Sequence, residues 1–378
     1  MKLIALKDVC KINMGQSPNS SSYNDYGDGM PFFQGNADFG ERYPITRVWC
    51  NTPTKIAQAE DILISVRAPI GALNYAKEEC CIGRGLAAIT PDRNKVSQDF
   101  IYWALKGKKA ELNDKGNGST FKAISRKILE ETMIPDINFE QQHKCAENLE
   151  KIYGIIQNRR KELLALDDLI KARFVEMFGS PVSNPMSWEK RTLKEVCIKL
   201  NDGSHFSPES FETGDYKYVT AKNIKFSGFD FSNITYVPEA VHRPIFDRCN
   251  PEFEDVLYIK DGATTGVAIV NTLDEEFTLL SSVALLKQDR SIMNGYFLAT
   301  LLNNKDMYLN IRNNMGGAAI TRLTIAKLNA IEIIVPPIEL QNQFAAFVAE
   351  VDKSKVAVQK ALDETQTLFD SLMQEYFG

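Results

Sequence analysis

Two long stretches of the chain carry apolar residues at intervals of seven, the pattern of helices that pair in a coiled coil. In the stretch from about Glu140 to Phe178 the series is Leu149, Ile156, Leu163, Ile170 and Met177. In the stretch from about Glu339 to Phe377 the series is Val348, Lys355, Leu362, Phe369 and Tyr376, in which Lys355 is the one charged residue. We therefore predict two helices, each roughly 55–60 Å long at the usual rise per residue.

The two apolar seams differ at matching positions. Ile156 of the first helix corresponds to Lys355 of the second, and Arg159 corresponds to Val358. A polar group in such a seam fixes register and orientation at some cost in stability. We expect the helices to pair with each other, and antiparallel pairing would hold two globular regions at opposite ends of a rod. The alternative is that each helix packs only on its own domain.

The regions that precede these helices predict short strands and turns. Val-, Ile- and aromatic-rich runs alternate with Gly, Pro, Asn and Asp, and one helix is expected in each region, near Gln98–Leu112 and near Asn294–Leu309. The predicted fold class is α+β, with two pseudo-symmetric globular domains joined by two long, antiparallel coiled-coil helices. The predicted boundaries are 1–137 and 186–337 for the globular domains, and 138–180 and 338–378 for the helices.

Short motifs of the first half return in the second half. Leu6–Cys10 returns as Leu193–Cys197, and Glu60–Leu63 returns as Glu254–Leu257. Later segments match as well, with Gly118–Ser125 returning as Gly317–Thr324. Two copies of one unit in a single chain predict a molecule that meets a two-part target.

The composition is typical of a globular protein with two domains and no membrane span. The 378 residues suffice for two cores, and 44% hydrophobic with 25% charged residues is typical of a soluble protein. No apolar run approaches a membrane span and no leader is evident, so a cytoplasmic location with no membrane contact is expected. Seven cysteines favour reduced thiols, and without a CxxC pair and with only three histidines no metal site is predicted.

Charge does not by itself indicate nucleic-acid binding. The net charge is −5, and the acidic excess lies mostly in the second half. Phosphate contacts are electrostatic, so DNA binding would require locally clustered cations.

The ordered set of motifs closely resembles the specificity subunit of type I restriction–modification systems. The resemblance rests on Asp61–Gly71, on Ile82–Ile89, on the Ser125 and Thr324 segments before Ile134-Pro135 and Val335-Pro336, and on Glu140-Gln141-Gln142 and Glu339-Leu340-Gln341. The second copy departs from the first, because Arg67-Ala68-Pro69 becomes Asp261-Gly262-Ala263-Thr264 and Gly83-Arg84-Gly85 becomes Leu280-Ser281-Ser282. The departure implies that the two domains read different base sequences.

The resemblance implies a non-catalytic subunit whose two target recognition domains each read one half of a bipartite site in double-stranded DNA. It implies that the helix pair sets the spacer and docks two methyltransferase subunits, and that restriction subunits join the complex. No cofactor is expected in this chain. S-adenosylmethionine, ATP and magnesium are expected in the partner subunits.

Catalytic motifs are matched only poorly. Asn250-Pro251-Glu252-Phe253 departs from the Asn/Asp-Pro-Pro-aromatic loop of adenine methyltransferases, and Phe33–Ala37 departs from their Phe-x-Gly-x-Gly cofactor loop. The sequence holds no GxxxxGK[ST] phosphate loop and no nucleophile–base constellation. The alternatives left open are a coiled-coil protein-interaction scaffold with no DNA readout and, third, a stand-alone methyltransferase or nuclease.

Candidate DNA contacts are Arg or Lys for guanine, Asn or Gln for adenine, and Ser or Thr for phosphate, placed in Gly-bearing loops. In the first domain they are Gln16, Ser17, Gln34, Asn36, Arg67, Arg84, Asn117, Ser119, Thr120 and Lys122. In the second domain they are Ser204, His205, Lys222, Asn223, Thr264, Thr265, Ser281, Ser282 and Arg322. Each also has a structural alternative, such as an ion pair between Arg84 and a nearby carboxylate.

Overall fold

A computed structural model of the chain describes residues 2–117, 122–313 and 322–378. The chain forms two compact units. The first unit comprises Met1–Arg160 with Lys360–Gly378, and the second comprises Lys161–Gln359. Each unit contains an α+β globule and one half of each of two long helices, so the predicted fold class is confirmed.

The globule of the first unit is built from short strands and short helices. Its strands are β1 Leu3–Ala5, β2 Cys10–Met14, β3 Tyr23–Asn24, β4 Met30–Phe33, β5 Trp49–Cys50, β6 Ile56–Ala57, β7 Ile62–Ser65, β8 Leu73–Tyr75, β9 Cys80–Ile82, β10 Leu86–Pro91 and β11 Met133–Pro135. Its helices are α1 Leu6–Val9, α2 Gln98–Gly107, α3 Lys109–Asp114 and α4 Arg126–Glu130. The helix expected near Gln98–Leu112 is thus present and breaks at Lys108.

The globule of the second unit repeats this order, with an added helix between its sixth and seventh strands. Its strands are β12 Glu189–Thr192, β13 Cys197–Asp202, β14 Tyr216–Val219, β15 Ile224–Lys225, β16 Gly228–Phe229, β17 Thr235–Val237, β18 Val256–Ile259, β19 Ala268–Val270, β20 Thr278–Leu279, β21 Val283–Gln288 and β22 Glu332–Val335. Its helices, with the long α5 counted before them, are α6 Leu193–Val196, α7 Glu239–Arg248, α8 Gly295–Asn303, α9 Lys305–Asn313 and α10 Ile325–Asn329.

The central sheet is the same in both units. It is four-stranded and antiparallel, in the order β2-β10-β7-β8 and again β13-β21-β18-β19. The register also matches, because Ile62 lies opposite Ile89 and Val256 lies opposite Leu286. A second sheet lies beside it in each unit and contains one parallel pair, β4 with β9 and β14 with β20.

The sequence of strand β18 is a continuous apolar run because both faces of the strand are buried. Val256 and Tyr258 belong to one core with α8, whereas Leu257 and Ile259 belong to another core with the second sheet. Successive side chains of a strand point to opposite faces, so a strand buried on both faces needs apolar residues throughout.

The repeated Glu-Asp pair has a structural cause. Glu60 and Glu254 both adopt φ of 68°, the left-handed region in which a non-glycine residue is uncommon. The next residue, Asp61 or Asp255, accepts a backbone N–H bond of 2.8 Å from the residue three positions earlier. The motif therefore builds the turn that starts the central strand.

The two predicted long helices are confirmed. They are α5, Phe139–Phe178, and α11, Ile338–Phe377, each of 40 residues. Within the first unit, Asn148 donates to the Tyr376 hydroxyl at 3.3 Å and Arg160 donates to Gln366 at 3.4 Å. One residue number rises while the other falls, so the helices run antiparallel.

The second unit contains the other half of the same pairing. Lys355, the lysine of the apolar seam, lies 2.7 Å from Asp167 and 3.2 Å from Asp352. Burial lowers the pKa of Lys355, but the two carboxylates outweigh it and the pKa is raised. The seam lysine is thus charged and paired, which favours this register over alternatives.

The long helices also pack on the globules, so packing on the domains accompanies the pairing of the two helices and does not replace it. In the first unit Trp103 of α2 makes edge contacts with Tyr153 of α5 and Phe369 of α11. In the second unit Phe297 of α8 stacks against Phe174 and meets Phe178 edge-on.

Glutamines at the helix starts have an internal role. The buried Gln142 accepts from the backbone N–H of Ser97 at 2.7 Å, and Gln341 accepts from that of Asn294 at 2.9 Å. Each glutamine thereby ties the start of a long helix to the start of the shorter helix beside it. The side chains of Gln142 and Gln341 are therefore engaged within the fold.

Candidate nucleic-acid interface

Three turns of the first unit lie side by side at one end of the central sheet and are joined by backbone hydrogen bonds. The N–H of Gly15 donates to Leu86 at 2.9 Å, and that of Gln16 donates to Ile82 at 3.0 Å. A Cβ on Gly15 would lie 2.2 Å from the carbonyl oxygen of Gly83. Only glycine allows this approach of two backbones, which explains the glycine before Gln16.

The turn that follows β4 joins the same cluster. The N–H of Gly83 donates to the carbonyl of Phe33 at 2.8 Å, and a Cβ on Gly85 would lie 2.2 Å from the carbonyl oxygen of Gln34. The Asp38 carboxylate accepts from the N–H of Gln34 at 2.7 Å and holds the turn closed. Gln16, Ser17, Gln34, Asn36 and Arg84, distant in sequence, therefore lie on adjoining turns.

Arg67 lies on the next connection of this surface. The N–H of Val66 donates to Gly85 and that of Ala68 donates to Lys122, at 2.9 and 3.1 Å. Asn117 exchanges two backbone hydrogen bonds of 3.0 Å with Ala123. Arg67, Asn117 and Lys122 thus join the group, whereas Ser119 and Thr120 lie outside the described residues.

The cations of this group have no carboxylate partner within residues 2–117, 122–313 and 322–378. Arg67, Arg84 and Lys122 are exposed, and among the described residues none forms an ion pair with them. The ion pair considered for Arg84 is therefore absent from the described part of the chain. We call this surface the first turn cluster; its residues are Gln16, Ser17, Gln34, Asn36, Arg67, Arg84, Asn117 and Lys122. It offers positive charge and exposed amides, which suits a phosphate-lined groove.

The second unit has the same backbone frame. The N–H of Ser204 donates to Leu279 at 2.7 Å, as Gln16 does to Ile82. The N–H of Lys260 donates to Ser282 at 2.9 Å, as Val66 does to Gly85, and a Cβ on Gly203 would lie 1.9 Å from the Leu279 carbonyl oxygen.

Charge is arranged differently in this second frame. Lys260, whose side chain is only 2% exposed, lies 3.2 Å from Asp202 and 3.3 Å from Asp261. Arg248 also reaches Asp202, at 3.5 Å, and Arg322 reaches Asp261, at 3.3 Å. These five residues form a buried-to-surface ion network. In the first unit Val66 occupies the place of Lys260, and Met14, by strand register, that of Asp202.

The candidates of the second unit divide into two groups. His205, Lys222, Thr264 and Arg322 are exposed, and Ser281 and Ser282 are half-buried. These six side chains form what we call the second turn cluster.

The other three candidates are buried, which contradicts the prediction that they contact DNA. Ser204 is 1% exposed, and its hydroxyl donates to the carbonyl of Phe206. Asn223 is 3% exposed, and its side-chain oxygen accepts from the N–H of Thr220. Thr265 is fully buried, and its hydroxyl donates to the carbonyl of Gly262. Their polar groups stabilise turns, and we remove them from the candidate contacts.

Two features of this surface escaped sequence reasoning. Lys260 replaces an apolar residue at a buried position of the repeat, and comparison of the two copies carries that signal. Phe206, 62% exposed and next to His205, carries none, because its exposure depends on the tertiary fold.

The near-match to a methyltransferase loop is part of the scaffold. Asn250 accepts from the Lys199 ammonium at 2.7 Å, and Glu252 pairs with Lys287 at 2.6 Å. Both contacts lie at the end of the sheet where β18 begins, remote from the second turn cluster. In the described ranges no group of three or more His, Cys, Asp or Glu is placed to hold a metal ion. No described helix is long and apolar enough to cross a membrane.

A family model matches the chain twice. It is described as the type I restriction modification DNA specificity domain, and it matches residues 1–165 and 185–365. The two matches follow the two units closely enough that each contains one turn cluster.

Several known proteins are similar in sequence. The type I restriction enzyme MjaIX specificity subunit of Methanocaldococcus jannaschii is 24% identical over 97% of this chain and 90% of its own length. A protein of the same organism assigned as the MjaX specificity subunit is 47% identical, but the match covers 40% of this chain and 36% of that relative. The EcoBI specificity subunit of Escherichia coli is 19% identical over 99% of this chain and 85% of its own length.

One solved structure shows the same fold over the whole chain. The S subunit of a type I restriction-modification system from M. genitalium aligns with a TM-score of 0.62 over 100% of this chain and 96% of that one, at 17% identity. The HsdS subunit from Thermoanaerobacter tengcongensis is 43% identical over 40% of this chain and 36% of that one, with a TM-score of 0.37.

Proposed function

Because the chain belongs to the family of the type I restriction modification DNA specificity domain, which it contains twice, we propose that each unit reads one half of a bipartite site in double-stranded DNA. A scaffold without DNA readout, the alternative left open by the sequence, is not favoured by this membership. The chain would direct chemistry that other subunits perform.

One observation carries the proposal for the first unit. Five segments distant in sequence bring exposed cations and amides onto one surface, and Arg67, Arg84 and Lys122 meet no carboxylate among the described residues. Unpaired surface cations are available to phosphates and guanine edges without first breaking an ion pair. This local excess also reconciles DNA binding with a net charge of −5.

Roles within the first turn cluster follow from side-chain chemistry. Arg67 and Arg84 would donate to guanine, and Gln16, Gln34 and Asn36 would pair with adenine. Lys122, Asn117 and Ser17 would contact phosphates. In the second turn cluster, Arg322 and Lys222 would take the guanine or phosphate roles, with His205, Thr264, Ser281 and Ser282 as further hydrogen-bonding groups.

Partner subunits would dock on the long helices. These helices expose apolar side chains that neither globule covers, namely Ile155, Leu164, Leu169, Val175, Val356 and Leu368. We propose that two methyltransferase subunits bind here and that restriction subunits join the complex. S-adenosylmethionine, ATP and magnesium would be bound by those partners.

The first experiment exchanges residues 1–137 for the same region of a related subunit. The full chain would be co-expressed with its methyltransferase subunits, and modified adenines would be mapped across a genome. We expect one half-site to change while the other half-site and the spacer stay. A change in both half-sites, or a methylation pattern without sequence preference, contradicts modular reading.

A second experiment tests the spacer. Inserting one heptad into α5 and one into α11, at matching positions, would lengthen each helix by about 10 Å at 1.5 Å per residue. We expect the unread spacer to lengthen by about three base pairs at 3.4 Å each. An unchanged spacer with methylation retained would rule out the helix pair as the spacer.

A further inference from the structure

The turn that contains Ser204 is held from several sides. The N–H of Ser281 donates to the carbonyl of Ser204 at 2.8 Å, and the Ser204 hydroxyl donates to the carbonyl of Phe206 at 2.6 Å. The Arg248 guanidinium donates to the carbonyl of Gly203 while it also pairs with Asp202. These bonds fix the backbone of residues 203–206, so the side chains that it carries are presented in one place.

Phe206 is the apolar side chain on this turn. It is 62% exposed, it belongs to no buried core cluster of its unit, and no aromatic ring in the described part of the chain contacts it. By register, Pro18 holds the matching place in the first unit, where it is buried. The second unit therefore presents a large apolar group where the first has none.

The surroundings of Phe206 indicate what would cover it. His205, its neighbour in sequence, lies 3.1 Å from the buried Asp202 carboxylate, and Arg248 donates to the Gly203 carbonyl and pairs with the same carboxylate. Lys222 adjoins Ala221, whose N–H donates to Ser282 at 3.2 Å, next to the Ser281 that bonds Ser204. An apolar group among cationic and hydroxyl side chains suits the major groove, where phosphates line the rim and thymine methyl groups project inward.

We propose that Phe206 is a specificity-determining residue of the second half-site and contacts the 5-methyl group of a thymine in the major groove. The inference rests on the proposed function and adds to it the base and the atom that are read. The first turn cluster, with the buried Pro18 at the matching place, would read its half-site by hydrogen bonds.

The experiment uses the full chain in complex with its methyltransferase subunits and a DNA duplex that carries the mapped site. Each thymine of the second half-site is replaced in turn by uracil, which lacks only the methyl group. We expect one uracil to weaken binding about fourfold, the value of one buried methyl-sized group. In the Phe206→Ala complex the same uracil should have no effect, since the contact is already lost.

Two controls make the result decisive. Phe253→Ala removes another exposed phenylalanine, which precedes β18 at the opposite end of the sheet, and it should leave the uracil effect intact. Uracil in the first half-site should be neutral for both complexes. A second half-site without an A·T pair, or a uracil effect that persists in Phe206→Ala, overturns the inference while sequence-specific binding still stands. Loss of sequence preference in the unmodified complex would instead count against the proposed function.

Discussion

The two turn clusters share a backbone frame but use charge in opposite ways. In the first unit the buried position after β7 is Val66, and the exposed Arg67 and Arg84 lack carboxylate partners among the described residues. In the second unit the same buried position is Lys260, which pairs with Asp202 and Asp261. The frame can therefore be kept while the chemistry of the surface is replaced, which is what two readers of different sequences require.

The largest expected effect concerns the ion network. Lys260→Met would leave Asp202 and Asp261 without their central partner, and breaking a buried pair in this way costs about 3–5 kcal/mol. Urea denaturation with hydrogen exchange at residues 256–259 would measure the loss. The double variant Lys260→Val with Asp202→Met copies the first unit and should lie within about 1.5 kcal/mol of the native protein.

Lys222→Met is the matched control, because it removes an exposed lysine. It should change the free energy of unfolding by less than about 0.5 kcal/mol. If the double variant loses as much stability as the single one, the network does more than neutralise a buried charge.

The next effect concerns DNA affinity. Arg84→Ala in the first unit should weaken binding of the half-site by about 1–3 kcal/mol if Arg84 reads guanine. Arg322→Ala should cost less, because Arg322 is already engaged by Asp261. Binding isotherms at several salt concentrations would separate base contacts from phosphate contacts.

Arg93→Ala is the control, because Arg93 pairs with Glu60 at the end of the sheet remote from the cluster. Equal losses for Arg84→Ala and Arg93→Ala would show that Arg84 acts only through general charge.

A comparable effect, on stability rather than on DNA affinity, concerns one position at which the two backbone frames differ. Gly85→Ser should destabilise the first unit by about 1–3 kcal/mol, because the new Cβ would meet the Gln34 carbonyl oxygen at 2.2 Å. Ser282→Gly, the reverse change in the second unit, should cost about 1 kcal/mol through loss of the bond from Ala221. Thermal unfolding would rank the two, and a reversed order would mean that the turns differ in backbone path.

The smallest expected effect concerns a helix cap that both units share. Ser125 caps α4 by accepting from Ile128, and Thr324 caps α10 by accepting from Lys327. Ser125→Ala and Thr324→Ala should each cost about 1 kcal/mol. Thermal unfolding should show similar shifts, and a large difference would indicate that one of the two helices has a further function.

Prediction from the sequence succeeded where periodicity or repetition carried the signal. The long helices begin and end within about one residue of the predicted positions, because a heptad pattern without proline is unambiguous. Repetition marked the glycine-bearing turns, and the structure fuses them into one surface in each unit. The candidate list failed at Ser204, Asn223 and Thr265, because a polar side chain in a turn serves equally to satisfy the backbone.

The offset between matching residues of the two copies rises from 187 at Cys10 and Cys197 to 199 at Ser125 and Thr324, and the structure shows where one of the added residues lies. One added residue comes from a β-bulge between Cys197 and Lys199, which leaves Ile198 exposed and restores the register of β13 beyond it. A bulge has no reliable signature in composition, so alignment of the motifs shows the extra residue but not where the strand absorbs it.

The sequence by itself determined the duplicated architecture, the pair of long helices and the glycines on which the turns depend, since each follows from local periodicity or backbone geometry. Only the tertiary structure decided which polar groups face solvent, which cations lack carboxylates, and that Lys260 lies at the centre of an ion network. These properties depend on distances between segments far apart in the chain, and burial and electrostatic pairing are set by those distances rather than by residue type.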